Sequence, residues 1–218
     1  PGGMSAGSLN VGGTSFSPIG LISSGSDMYV ADPDGQRILK IANFASASPS
    51  VSTFAANSGA TVTISGTFKP TNMVISGSDM YVTDKDGGKI LKITNFASVS
   101  TFAANSGATV TISGTFKPSD IAIYGNDIYV SDVSNAGNGR ILKIANFASV
   151  SIFAAKSSAA KIISGSTFNP ESIRIDNQGL YIFGDNRISI ISLSFSEDRK
   201  STRLNSSHVS ESRMPSSA

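Results

Sequence analysis

Apolar residues along this chain come in short alternating runs, and the runs recur. Between Phe68 and Thr115, Met73–Ser76 reads MVIS, Asp79–Asp84 reads DMYVTD, Lys89–Thr94 reads KILKIT and Ser98–Ala103 reads SVSTFA. These runs are rich in β-branched and aromatic side chains and are separated by Gly, Asn, Asp and Ser, so they predict strands rather than helices. Pro70 precedes the first run, where a strand tolerates proline. SGS separates the first two runs and KDGG the next two, both hairpin signals. One unit therefore predicts four antiparallel strands.

The unit repeats. Copies start at Phe16, Phe68, Phe116 and Phe168, and Thr53–Pro70 is identical to Thr101–Pro118. Such likeness points to recent duplication or to an assembly error over a repeat. The longer copies carry SASPSVS (Ser46–Ser52) or DVSNAGNGR (Asp132–Arg140) between apolar runs, where hairpin loops absorb insertions. A period of about 40–50 residues with several strands each predicts an all-β β-propeller with four-stranded blades; an open solenoid usually has shorter coils. The expected divisions are 1–15 as the tail of a preceding blade, 16–67, 68–115 and 116–167 as complete blades, and 168–197 as an incomplete one. The result is a partial propeller, an open arc. Tyr29, Tyr81, Tyr129 and Tyr181 share one repeat position and Phe44, Phe96 and Phe147 another; both columns are expected to be buried between blades.

The last stretch, Asp198–Ala218, breaks the pattern. It resembles the in-frame translation of a common short-read sequencing adapter, is expected to be a disordered, non-native tail, and is set aside. It holds four basic and two acidic residues, so residues 1–197 have thirteen of each and no net charge, and the basic pI disappears. The only histidine, His208, goes with it, and the chain has no cysteine. Histidine triads, thiolate metal sites and cysteine nucleophiles are thereby excluded. No G-x-S-x-G elbow supplies an activated serine. No nucleic acid partner is expected from a neutral surface, and no apolar run reaches membrane-spanning length. Read with the adapter and the start at Pro1, the chain is expected to be an internal piece of a longer protein.

The repeated residues carry a family resemblance. A proline, an aliphatic strand, G-x-D, Y-V-x-D and then a basic residue before I-L-K-I resemble the NHL repeat of six-bladed, TolB-like propellers. Pro70, Tyr81, Val82, Asp84, Lys89 and Ile90 fall on that pattern, as do Pro118, Tyr129, Val130, Asp132, Arg140 and Ile141. The resemblance implies a propeller fold, in a family whose members include binding scaffolds, lactonase-like and lyase enzymes, and RNA binders. The chain departs from it in its long Ser/Thr linker and at Gly184-Asp185, which disturbs the Y-V-x-D ending.

Candidate chemistry is sparse. Asp32/Asp34 and Asp84/Asp86 flank glycine turns, but no distal glutamate completes a calcium loop, so they read as turn residues. Arg37, Lys89, Arg140 and Arg187 form one basic column and Lys40, Lys92 and Lys143 another; zero net charge favours their being solvated or paired with Asp32, Asp84 and Asp132 over an anion-binding stripe. The near-copies disagree most just before strand one, at Ile19-Gly20, Thr71-Asn72, Ser119-Asp120 and Glu171-Ser172. If strand one lines the channel, these pairs sit at its mouth. Asn72, Asp120 and Glu171 are then candidate oxygen ligands for a divalent cation such as calcium, and Arg174 would orient an acidic substrate. The expected function is a non-catalytic binding or scaffold propeller for a protein or carbohydrate partner, within a secreted or surface-exposed bacterial protein. The alternative is a metal-dependent, lactonase-like hydrolase or lyase.

Overall fold

The computed structural model describes Val11 and residues 16–133 and 137–193. Apart from Val11, the segment read as a preceding blade's tail lies outside the described residues, and so does the whole adapter-like tail. The described chain is all-β, and no helix is long and apolar enough to cross a membrane. Four sheets are arranged as propeller blades. The first holds β1 (Gly20–Ser24), β2 (Asp27–Asp32), β3 (Arg37–Ala42), β4 (Ser50–Ala56) and β5 (Val62–Thr63). The second holds β6 (Pro70–Ser76), β7 (Asp79–Asp84), β8 (Lys89–Thr94), β9 (Ser98–Ala104) and β10 (Val110–Thr111). The third holds β11 (Pro118–Tyr124), β12 (Asp127–Asp132), β13 (Arg140–Ala145), β14 (Ser149–Ala155) and β15 (Lys161–Ile162), and the fourth β16 (Ser172–Ile175), β17 (Leu180–Gly184) and β18 (Arg187–Ile191).

The three full blades have five strands, not the expected four. The fifth is two residues long and pairs parallel to the fourth, as in Ala55↔Val62 and Ala103↔Val110. It comes from the Ser/Thr linker, which folds back because Val62 and Ile64, with their copies Val110 and Ile112, bury between blades. Asn57 and Asn105 hold the return: each side-chain amide donates to two linker carbonyls, Ile64 and Gly66 in one blade and Ile112 and Gly114 in the next.

Hydrophobic clusters lie between blades. Tyr29, Ile38 and Phe54 of blade 1 pack on Met73, Met80, Val82, Leu91 and Ile93 of blade 2, and the pattern repeats twice. Each fully buried aliphatic or aromatic side chain contributes about 1.5–3 kcal/mol. The tyrosine column is buried in the first three blades and half-buried at Tyr181. Phe96 reaches back to Tyr29 and Phe147 to Tyr81, with ring centroids 5.4 Å apart in both pairs. Phe44 is more exposed than expected: no tyrosine precedes it among the described residues, and its turn carries the SASPSVS insertion. At the third interface blade 4 offers Leu193, and a cavity of about 730 Å³ opens beside Tyr129 and Phe153.

The reaching phenylalanines sit in strained turns. Asn95 and Phe96 have φ of 51° and 54°, and Asn146 and Phe147 have 50° and 55°. Tight hairpins with two left-handed residues favour Asn-Gly, and a bulky side chain there is an outlier. The ring contact with the preceding blade's tyrosine offsets that strain. Phe96→Ala is therefore expected to be less stable than Phe96→Gly by about 1 kcal/mol, since alanine loses the ring and keeps the left-handed penalty. Urea denaturation of both variants checks this; equal stabilities would remove strain from the account.

Candidate binding site at the channel mouth

The acidic residues fall into three groups with different tasks. Asp32, Asp84 and Asp132 end the second strands and are fully buried. Their Oδ1 atoms accept the backbone N–H of Ser17, Lys69 and Lys117 at 2.9–3.0 Å, pinning the segment that leads into each blade. Asp32 and Asp84 also cap their turns through the N–H of Gly35 and Gly87. Arg37 and Arg140 donate Nε to Asp32 and Asp132 at 2.9 and 2.7 Å. Arg140 further bonds the carbonyls of Ser113 and Thr115, clamping the linker to the turn. The first basic column is thus structural, in line with the pairing read from the sequence.

In blade 4 the tie shifts by one residue. A Cβ at Gly184 would lie 1.9 Å from the carbonyl oxygen of Asn169, so only glycine fits there. Asp185 accepts the Asn169 N–H at 2.8 Å and pairs with Arg187 at 3.8 Å. The departure from Y-V-x-D keeps the interaction.

Blade 2 lacks the hydrogen-bonded cation of blades 1 and 3. Lys89 Nζ stands 3.6 Å from Asp84 Oδ2, which has no hydrogen-bond donor among the described residues. Lys89→Arg is expected to supply the missing bond and add about 1 kcal/mol of stability. A urea midpoint unchanged or lowered in that variant would contradict the expectation.

The second basic column pairs elsewhere than expected. Lys40, Lys92 and Lys143 contact Asp27, Asp79 and Asp127 at 2.7–2.8 Å, not the buried aspartates. These aspartates begin the second strands, and the strand register brings each lysine over them. The same carboxylates accept the N–H of Asn43, Asn95 and Asn146 at the strained turns. The lysine hydrogen bond is the largest influence holding Asp27 and Asp79 below the usual carboxylate range. At Asp127 burial is the largest influence and pushes upward, but the Lys143 and Asn146 bonds outweigh it. The lysines are raised by the same bonds. Stability from these aspartates is present above their ordinary range and fades as pH falls through the lowered values. The lysine contribution persists until pH rises through the raised values. At exposed positions both effects are small and screened by salt.

Asp120, 3% exposed, belongs to neither group. It lies on β11, one of the four inner strands that surround the channel together with β1, β6 and β16. Its Oδ1 accepts the N–H of Ile121 at 2.8 Å and the side-chain amide of Asn72. Its Oδ2 accepts Ser172 Oγ at 2.6 Å, the Ile173 N–H at 2.8 Å and Arg174 Nη1 at 3.1 Å. An ionised carboxylate has about four acceptor sites, so these five donors saturate it. The structure thus joins Asn72, Asp120 and Arg174 in one network. Ser172, named in the divergent pairs but given no role there, completes it.

Glu171 lies apart from that network. Its backbone carbonyl accepts Ser119 Oγ at 2.9 Å, and its side chain lines a separate cavity of about 560 Å³ at the channel mouth. Ile19, Thr71 and Ser119 line the same space. Thr71 and Ser119 are the extra residues where the inner-strand register shifts between Pro70 and Asn72 and between Pro118 and Asp120. Such bulges re-aim side chains. Here the hydroxyls meet those of Thr83 and Ser131 at 2.8 Å. Lys85 and Val133, from the turns after the buried aspartates, close one side. Lys117 and Asn169, from the segments leading into the blades, close another.

Solved structures of low sequence identity share this fold. A catalytically inactive virginiamycin B lyase from Staphylococcus aureus with quinupristin matches with a TM-score of 0.55 and 15% identity, over 86% of this chain and 59% of that one. A chain in a nidogen/laminin complex matches with a TM-score of 0.56 and 14% identity, over 80% and 60%. The computationally designed Ika4 protein matches with a TM-score of 0.51 and 9% identity, over 84% and 96%. The chain is therefore a β-propeller that spans about three-fifths of the lyase and nidogen/laminin chains. No protein-family model matches it, and no curated protein does.

Proposed function

We propose that the chain is a non-catalytic binding propeller of the NHL-like kind, from an extracytoplasmic bacterial protein, that presents its channel mouth to a protein or carbohydrate partner. The saturation of Asp120 carries this reading. The inner carboxylate best placed for chemistry is spent on Asn72, Ser172, Ile173 and Arg174, which bridges blades 2, 3 and 4 and leaves no lone pair for an ion. Arg174 contributes Nη1 to the same carboxylate at 3.1 Å, with its side chain 66% exposed. The neutral charge of residues 1–197 supports a partner other than nucleic acid.

The alternative, a metal-dependent hydrolase or lyase, needs Asn72, Asp120 and Glu171 to share a divalent cation. Titration calorimetry separates the two. No stoichiometric calcium uptake is expected, and Glu171→Gln should leave the calorimetric trace unchanged. Uptake of one calcium ion per chain, lost in Glu171→Gln, would establish the alternative.

A further inference from the structure

We propose that the mouth cavity is a site for a small carboxylate-bearing ligand, gripped by Lys85 and Lys117. The inference rests on the binding-module reading and deepens it. Its first support is the charge pattern. The basic residues that open the third strands or sit midway along them in blades 1–3 have a carboxylate within 4 Å: Arg37, Lys40, Lys89, Lys92, Arg140 and Lys143. Lys85 and Lys117 do not. Among the described residues neither amino group has an ion-pair or hydrogen-bond partner, yet both line one cavity, and Lys85 is half-buried there. Lys117 is exposed at the cavity's edge, and unpaired cations beside a concave surface attract an anion.

The second support is independent of charge. The cavity is lined from three repeat columns, and each column differs between copies. Where the third blade has Val133 and the first Pro33, the second has Lys85. The column of Lys117 holds Ser17, Lys69 and Asn169 in the first, second and fourth blades, and Lys69 differs from Lys117 in being paired with Asp86 at 3.0 Å. The bulge column runs Ile19, Thr71, Ser119, Glu171. The turn column and the bulge column thus differ from blade to blade on the walls of one cavity, which makes the site asymmetric.

The chemistry narrows the ligand. A volume of about 560 Å³ lies within the range of small-molecule sites. The two ammonium groups suit a carboxylate. Thr71, Ser119 and Asn169 offer neutral hydrogen-bonding groups beside it, while Ile19 and Val133 give short apolar walls. Glu171, on the same rim, disfavours a second negative charge nearby. The fitting ligand has one carboxylate with hydroxyl or amide groups next to it, which describes both an acidic sugar and a short acidic peptide.

Titration calorimetry of the full chain with two acid and neutral pairs tests this. Galacturonate is set against galactose, and N-acetyl-Asp-Ser amide against N-acetyl-Asn-Ser amide. At least one acid is expected to bind about tenfold tighter than its neutral partner, and the acid that binds identifies the source. Lys85→Gln and Lys117→Gln should each weaken it about tenfold, a loss of about 1.4 kcal/mol. Glu171→Gln should tighten it severalfold, a gain that a purely structural role would not give. Neither lysine side chain supports the fold, so these variants remain folded.

Three results would overturn the site: no acid binding up to about 10 mM, equal binding of acid and neutral partners, or affinity unchanged in the double lysine variant. Galactose binding that survives both lysine substitutions would remove the carboxylate site and leave the binding module standing. Calcium uptake lost in Glu171→Gln would remove the binding-module reading instead.

Discussion

Asp132→Ala is expected to destabilise the propeller by about 3–5 kcal/mol, the range for removing one partner of a buried charge pair. Asp132 is fully buried, accepts the Lys117 N–H and binds Arg140 Nε at 2.7 Å. Its loss frees the segment leading into blade 3 and strands a guanidinium that is itself mostly enclosed. Arg140 also clamps the carbonyls of Ser113 and Thr115, so the damage should spread to the linker and to the blade 2–3 interface. Asp127→Ala is the matched control. It breaks a rim pair of similar length with Lys143, and in an exposed setting should cost less than about 1 kcal/mol. Urea denaturation compares the two. Similar losses in both variants would mean that the buried column has no special role. Copies of the tie in other blades do not compensate, because each blade needs its own acceptor at its own turn.

Placing lysine at both Leu21 and Ile188 is expected to abolish or sharply reduce self-association of the isolated chain. Leu21 is 67% exposed, whereas Met73, Ile121 and Ile173 at the same repeat position are at most 2% exposed against a preceding blade. Ile188 is 61% exposed, whereas Ile38, Ile90 and Ile141 are fully buried against a following one. Phe16 shows the same contrast with Phe68, Phe116 and Phe168. Among the described residues, then, the first blade's backward face and the fourth blade's forward face are apolar and open, as the expected arc requires. Exposed apolar faces of this kind drive association, and because the two faces differ, contacts run head to tail. Sedimentation velocity over a concentration series measures the effect. A wild-type chain that stays monomeric throughout and melts sharply would show that these faces do not drive association.

Local pattern told this protein's story up to the blade and no further. The reading found four strands in each of the first three units because alternation and turn residues act over a few neighbours. It missed the fifth strand because a two-residue parallel pair leaves no periodic trace; Val62 and Ile64 reveal their purpose only when the next blade covers them. The buried aspartates were visible as turn residues, yet their hold on Ser17, Lys69 and Lys117 spans fifteen residues and needs the closed sheet. Lys40, Lys92 and Lys143 were assigned the wrong aspartates, since strand register, not proximity in sequence, brings Asp27, Asp79 and Asp127 beneath them.

The channel-mouth residues divide the same way. Divergence among near-identical copies pointed to Asn72, Asp120 and Glu171 from the sequence alone, because repeats provide their own comparison, and Arg174 followed from its place further along the strand. Only the tertiary structure could sort them. It joins Asn72 and Arg174 to Asp120 across three blades and sets Glu171 into a neighbouring cavity with Lys85 and Lys117. Residues about fifty positions apart meet there because blades rotate about a common channel. That rotation is set by the interdigitation of whole sheet faces, and no short stretch of sequence encodes it.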